Sequence, residues 1–248
     1  MKVNLVLSGG AARGVAHIGV IKAIEELGFE IVSISGVSAG ALVGAFYCDG
    51  YKPEEMLKVV KSREWLRYLR PTVPRLGLVS LKGAEKYLKN MLSVENIEKL
   101  SKKLWVCALD IVSGRTIIFE TGSLFPIVLG SCALPGIFEP VKYKGYVLVD
   151  GGVTNNLPIE PFVGKEELLV GVDVNPSVFT EKVNNIFQIL VRSFLLSVRS
   201  NVDKRKEACN VVIEPDLQGY SPLSLLKAEE LYLLGYQKTI SVMKPYAR

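Results

Sequence analysis

Short apolar runs rich in valine and isoleucine alternate with longer stretches of helical periodicity, from the first residues of the chain onward. "VNLVL" (3–7) reads as a strand that runs into a glycine-rich turn. "VAHIGVIKAIEELG" (15–28) sets Ile18, Ile21, Ala23, Ile24 and Leu27 on one helical stripe, which Gly28 closes as C-cap. "IVSIS" (31–35) is the next strand, followed by a serine between glycines and then the small-residue helical run "AGALVGAFYCDG". This alternation predicts an α/β fold with a mainly parallel central sheet, covered on both faces and joined by right-handed crossovers.

Pro53 suits the first turn of a helix, and the pattern stays helical to Lys103 except at "RPTVPRLGLV" (70–79), where two prolines and a glycine argue against a regular element. The segment of about 51–103 reads as a helical cap over the edge of the sheet. "KLWVCALDIVSGRTIIFET" (103–121) predicts two strands joined by the turn "SGR", and "LFPIVLGSCALPGIF" a short helix stopped by Pro135. "KYKGYVLVDGG" predicts a hairpin-like pair whose second strand ends in Asp150, Gly151 and Gly152. "ELLVGVDVN" (167–175) is a buried strand, 184–205 a long amphipathic helix, and "CNVVIEP" (209–215) the last strand. With 248 residues, 49% apolar composition and no repeat, one domain over 1–248 is expected.

Composition narrows the chemistry. The four cysteines, at 48, 107, 132 and 209, form no C-x-x-C pair, and with a single histidine they predict no zinc or iron cluster. A reduced, cytoplasmic chain is the expectation. The first seven residues are too short for a signal peptide, and no run reaches the roughly 18 apolar residues a bilayer span requires, so membrane contact would be peripheral. The excess of 30 Lys+Arg over 25 Asp+Glu is local, because residues 51–103 hold 13 basic and 6 acidic side chains. That surplus fits either a solvated face or attraction to an anionic surface. No nucleic-acid motif accompanies it, and no nucleic-acid partner is expected.

Three glycine-bearing turns, "GGAARG" (9–14), "GVSAG" (36–40) and "DGG" (150–152), each follow a predicted strand. Loops after the carboxyl ends of parallel strands gather on one side, so the three are expected to meet. The first is not a dinucleotide fingerprint, which needs glycine where Ala11 stands, nor a P-loop, which needs Gly-Lys-Ser/Thr where Gly14-Val15-Ala16 stands. What remains is an anion cradle of main-chain N–H groups at a helix N-terminus.

Ser38 sits in G-x-S-x-G, with Gly36 and Gly40 allowing strand and helix to approach closely, and reads either as a nucleophile on a sharp turn or as a structural turn. A cradle beside an exposed serine suits acyl transfer, where each well-placed donor is worth about 3–4 kcal/mol of barrier. Its base is the open question. His17 precedes the serine among apolar neighbours, no histidine follows, and the usual hydrolase triad is thereby excluded by composition. Asp150 is the best-placed carboxylate, since Gly151 and Gly152 let the chain turn sharply after it; Asp110 and Asp173 read as less well placed. The economical answer is a Ser38–Asp150 dyad that requires neither metal nor cofactor.

"LSGGAARGVAHIGVIKAIEE", "GVSAG", "GSCALPGIFEPV" and "VDGGVTNNLP", in this order and spacing, resemble the patatin-like phospholipases over about Val3 to Pro158. The resemblance implies a three-layer α/β/α fold and a lipid acyl hydrolase with Ser38 as nucleophile, Asp150 as base and the amides of Gly9, Gly10 and Ala11 as oxyanion hole. Arg13 matches the family's basic position, either orienting the loop or favouring an anionic lipid, with the structural role ranked first. Ala11 replaces a glycine common in the family and keeps its N–H, provided the backbone there needs no positive φ. Pro135 is expected to shape the pocket wall.

The reading is a serine acyl hydrolase acting on a fatty-acyl ester or phospholipid through an acyl-enzyme. The alternatives are a non-catalytic lipid-binding module of the same fold, or an acyltransferase or thioesterase. Trp65, Leu66, Tyr68 and Leu69 among Arg63, Arg67 and Arg70 form an aromatic-basic patch that suits peripheral membrane contact and, equally, a helix packed on the sheet. Nothing in the chain specifies an oligomeric state.

Overall fold

The fold is that of a computed structural model, described for residues 1–72, 76–175, 183 and 185–247. In chain order it runs β1 (Lys2–Leu7), α1 (Ala16–Glu26), β2 (Glu30–Val37), α2 (Ala39–Cys48), α3 (Pro53–Ser62), β3 (Arg70–Pro71), β4 (Val79–Ser80), α4 (Lys82–Met91), β5 (Lys103–Asp110) and β6 (Arg115–Phe119). It continues with α5 (Leu124–Ser131), β7 (Val141–Tyr143), β8 (Tyr146–Asp150), β9 (Leu168–Val172), α6 (Ile186–Ser200), α7 (Asp203–Lys206), β10 (Val211–Ile213) and α8 (Ala228–Met243). Among the described residues no helix is long and apolar enough to cross a membrane.

The main sheet has the order β10-β9-β1-β2-β5-β8-β7, with β6 also on β5. The pairs from β10 through β5 are parallel, and β6, β7 and β8 join antiparallel. Alternation along β1 separates two cores: Val3, Leu5 and Leu7 face the larger one, built with α1, α2, α4, α5 and α8, whereas Val6 faces a smaller one with Leu157, Phe162, Leu169 and Val202. The expected α/β/α sandwich with a mainly parallel sheet is therefore present, with unequal outer layers.

Register explains how the serine turn and the aspartate turn meet. β2 pairs with β5 only as far as Val37 opposite Cys107, and β8 takes over at the next residue, with Asp150 opposite Ala108. The aspartate does not follow a strand parallel to β2, as the sequence argument assumed. It arrives from the opposite direction along the overhang of β5 and stops one pairing step beyond the end of β2.

Two local expectations change. The 70–79 stretch does contain a regular element, because Arg70–Pro71 pairs with Val79–Ser80. Helix α5 ends at Ser131, ahead of Pro135, and the Ala133 carbonyl beyond it accepts the Asp150 N–H at 3.0 Å. Pro135 restricts Leu134 away from helix, but the chain has already left the helix to pair with β8.

Helix α8 has no counterpart in the sequence reading. It packs on α1 at a distance set by two glycines: a Cβ at Gly19 would collide with the Tyr232 carbonyl, and one at Gly235 with the Ala16 carbonyl. Neither neighbour is a flexible side chain that could yield. Gly235→Val is expected to force the helices apart and lower unfolding free energy by about 1–3 kcal/mol, the usual range for overpacking. A urea midpoint unchanged from wild type would show that the helices can slide.

Candidate active site

Ser38 occupies the turn between β2 and α2 with φ +53° and ψ −125°, a conformation L-residues rarely adopt. Strain of this kind costs of order 1–3 kcal/mol and persists only when the surroundings over-determine it. They do so on two sides. A Cβ at Gly36 would meet the Ala41 amide nitrogen at 2.7 Å and one at Gly40 would strike the Leu7 carbonyl, so the elbow presses helix against strand with no room for a side chain. The Ser38 N–H also donates to Ser131 Oγ at 2.8 Å, and Ser131 Oγ donates to the Cys107 carbonyl at 2.6 Å.

Asp150 is 2% exposed. Its Oδ1 accepts the Gly152 N–H at 2.8 Å, and the Ser38 hydroxyl, beside the same carboxyl on the cavity wall, is a second donor that pulls its pKa down. Burial dominates its acidity and raises the pKa from 3.8 to about 6, against the opposing pull of those two donors. Between these values the folded chain holds a proton that the unfolded chain has released, so this carboxyl costs stability as pH rises through the window. A Cβ at Gly151 would lie 2.6 Å from the Cys107 carbonyl, and one at Gly152 2.8 Å from Asn156 Oδ1; the two glycines let the turn close against β5 and the cradle.

The first glycine loop lies against the elbow, where a Cβ at Gly9 would approach Ser38 Cβ to 3.0 Å and one at Gly14 would collide with Ala39 Cβ. Its donors are not equivalent. The Gly9 N–H is directed to Asn156 Oδ1 at 3.0 Å, and the Gly9 carbonyl accepts from Asn175 Nδ2 at 2.7 Å, so both polar groups of Gly9 are occupied. Among the described residues, the N–H groups of Gly10 and Ala11 donate to no protein acceptor. Ala11 has φ +48°, so the proviso on this alanine is not met: it occupies the left-handed region at about 1–2 kcal/mol while keeping its donor.

Arg13 is tied down by Nε to the Tyr220 carbonyl at 2.9 Å and by one terminal nitrogen to Asn175 Oδ1 at 3.4 Å. His17 is fully buried, with Nε2 at 2.8 Å from the Ser8 carbonyl and a pKa lowered to about 4 by that burial; it lies outside the cavity lining. Asp173 pairs with Lys206 at 2.6 Å, and Asp110 accepts from Ser113 and Val147. Pro135 is absent from the cavity wall, which is made there by Leu134, Ile137 and Phe138.

Ser38, Asp150, Gly10 and Ala11 line one cavity of about 570 Å³. Its remaining wall is largely apolar, with Val43 and Phe46 from α2, Met56 from α3 and Leu88 from α4. The segment expected to cap the sheet edge thus supplies a wall of the cavity, to which Trp65, Leu66 and Leu69 also contribute. Ser131, Asn156 and Asn175 gained no role from the sequence. Ser131 and Asn156 lay inside motifs already quoted, but what each bonds to depends on the tertiary fold.

A mainly parallel α/β protein with a strained serine elbow, a buried carboxyl and an apolar cavity is the class defined by these features. The chain belongs to the patatin-like phospholipase family, whose model matches residues 5–163. It is 34% identical over 179 residues to an uncharacterized NTE family protein of Mycobacterium tuberculosis, covering 71% of this chain and 50% of that protein. It is 38% identical over 168 residues to neuropathy target esterase sws of Drosophila persimilis, covering 63% of this chain and 11% of that one. Lysophospholipase NTE1 of Meyerozyma guilliermondii is 26% identical over 267 residues, with 94% and 19% covered. The chain therefore spans half or less of the length of these relatives. The fold also matches VipD from Legionella pneumophila, with TM-score 0.56 at 16% identity over 98% of this chain and 66% of that one.

Removing the Ser38 hydroxyl in two ways tests the strain. At a relaxed helical position alanine is more stable than glycine by about 0.5–1 kcal/mol. At residue 38 the order is expected to invert, with Ser38→Gly more stable than Ser38→Ala by about 1 kcal/mol in urea unfolding, because glycine alone adopts this backbone freely. An alanine variant more stable than the glycine variant would show that the elbow relaxes.

Proposed function

We propose that this chain is a serine acyl hydrolase of the lipase or phospholipase type, with Ser38 as nucleophile and Asp150 as its base. One observation carries the reading: Ser38 lines an apolar cavity beside a buried carboxyl whose pKa burial raises to about 6. An unperturbed aspartate is a weak base near neutral pH, and burial brings this one closer to the range where proton transfer is efficient.

In the proposed reaction Ser38 Oγ attacks the acyl carbonyl carbon as its proton passes to Asp150. Negative charge develops on the carbonyl oxygen, and the Gly10 and Ala11 N–H groups are the donors assigned to it. Collapse of the tetrahedral intermediate breaks the ester bond, and the departing alcohol takes the proton from Asp150. A water then gives a proton to Asp150 and attacks the acyl-Ser38, and its collapse releases the acid as Ser38 regains the proton. Gly9, both of whose main-chain groups are occupied, serves this scheme as an anchor for the loop. The apolar wall favours a fatty-acyl ester, each buried methylene contributing about 0.8 kcal/mol to binding. Relatives named as an esterase and a lysophospholipase support an ester substrate.

The test uses p-nitrophenyl esters of increasing chain length and a fluorophosphonate probe. Ser38→Ala and Asp150→Asn are each expected to lower kcat/KM by roughly a thousand-fold or more, and Ser38→Ala to abolish labelling. Asp150 must be ionised to accept the proton, so kcat/KM is expected to climb with pH through about 6 and level above it, with His17→Gln leaving that limb in place. Labelling that survives Ser38→Ala, or an acid limb that vanishes in His17→Gln, would overturn the dyad. Absence of labelling in wild type with lipid binding intact would favour the non-catalytic module.

A further inference from the structure

The cavity opens where its lining residues are also exposed: Arg63 and Leu66 on the turn after α3, and Leu223 and Leu226 on the segment before α8. Leu226 is 76% exposed, a large cost for a leucine with no cover. The apolar rim extends beyond these residues. The Leu78 N–H donates to the carbonyl of Ile137, a cavity-wall residue, and both Leu76 and Leu78 are exposed. Leu190 of α6 reaches within 3.8 Å of where a Cβ at Gly136 would sit, and Val198, further along the same helix, lines the cavity and approaches Gly152. Helix α6 thus follows the mouth from the Gly136 turn to the Asp150 turn. Along it Ile186, Ile189, Leu190 and Leu196 are all exposed, at spacings that place them on one helical side.

We propose that this rim docks on an anionic lipid bilayer, with α6 and the 221–227 segment seated at the interface and the cavity mouth facing the membrane. The proposal rests on the acyl-hydrolase reading for its substrate but not for its evidence, which is the exposed apolar ring and the charge beside it. Arg63 lines the mouth, Arg67 is exposed on the same turn as Leu66 and Arg70 at the start of β3, and the surrounding 51–103 segment carries 13 basic against 6 acidic residues. An exposed apolar ring flanked by arginines matches a surface with acyl chains below and negative head groups above. The 221–227 segment is also joined to the cradle, since the Pro222 carbonyl accepts the Ala12 N–H at 2.9 Å.

The experiment is co-sedimentation with phosphatidylcholine vesicles, with and without phosphatidylglycerol, using the whole chain as Ser38→Ala so that binding is read without turnover. Binding is expected to be stronger to the phosphatidylglycerol vesicles and to weaken with added salt. Two double variants outside the cavity wall separate the components. Ile189→Ser with Leu190→Ser is expected to reduce the partition coefficient about ten-fold or more on both vesicle types, and Arg67→Glu with Arg70→Glu to do so mainly on the anionic ones. In the active background both pairs are expected to leave hydrolysis of a soluble short-chain ester at the wild-type rate while lowering hydrolysis of vesicle-borne substrate. Failure of all ester hydrolysis with vesicle binding intact would count against the function and leave the docking face standing. Wild-type partition in both double variants would overturn the docking face, as would a dimer in solution that Ile189→Ser with Leu190→Ser converts to monomer.

Discussion

The meeting of the Ser38 turn with the buried Asp150 carboxyl at one cavity wall is the constraint around which the molecule is arranged, and it exists because of a change in strand direction. In an all-parallel sheet, the strand beside β5 would leave from the same end as β2, and its last residue would be followed by its own crossover. Here β8 enters along the overhang of β5 and ends opposite Ala108, one step past the pairing of Val37 with Cys107. Two turns 112 residues apart in the chain (150 minus 38) are thereby brought side by side. Ser131 ties the corner together, since its hydroxyl takes the Ser38 N–H and gives its own proton to Cys107 of the central strand.

Holding that corner has several costs in one place. Ser38 and Ala11 both lie at positive φ, and Asp150 is a carboxyl taken out of water. Asparagine side chains offset part of this by fixing the peptide of Gly9 from two directions. Asn156 takes its N–H; its own N–H goes to Asn201 Oδ1 at 2.8 Å, while Asn201 Nδ2 reaches the Gly152 carbonyl at 3.1 Å. The cradle, the aspartate turn and the end of α6 are thus one hydrogen-bonded unit. Neutral amides suit this work, because a second ionised side chain beside Asp150 would move the acidity that burial has set.

The elements and the three glycine turns were legible in the sequence because each is encoded locally. Helical stripes, paired glycines and the Lys144-Gly145 turn of the hairpin, with φ of +44° and +87°, are properties of neighbouring residues. Strand direction was not legible, since "YVLVD" carries the same apolar pattern in either orientation. Helix α8 escaped for a related reason. Its buried positions include Ala228, Gly235 and Thr239, small or polar residues, of which Gly235 is required by close contact with α1, so its hydrophobic periodicity is weak. The side chains that orient the site were hidden more deeply, because an asparagine in a turn reads as a turn former whatever it bonds to across the fold.

The fate of the single histidine shows what burial does to two different titratable groups. His17 and Asp150 are both buried and burial acts on both by disfavouring charge, but the consequences are opposite. For the imidazole the pKa falls to about 4, so at neutral pH it is already uncharged and gains nothing as an acceptor by lying near the site, while its Nε2 is committed to the Ser8 carbonyl. For the carboxyl the pKa rises to about 6, which leaves it ionised near neutrality but a stronger base than an exposed aspartate. A dry corner therefore makes an acid a better proton acceptor and a histidine a poorer one. In the proposed reaction a serine beside such a carboxyl needs no imidazole, and the donors of the cradle face the negative charge that develops on the substrate's carbonyl oxygen.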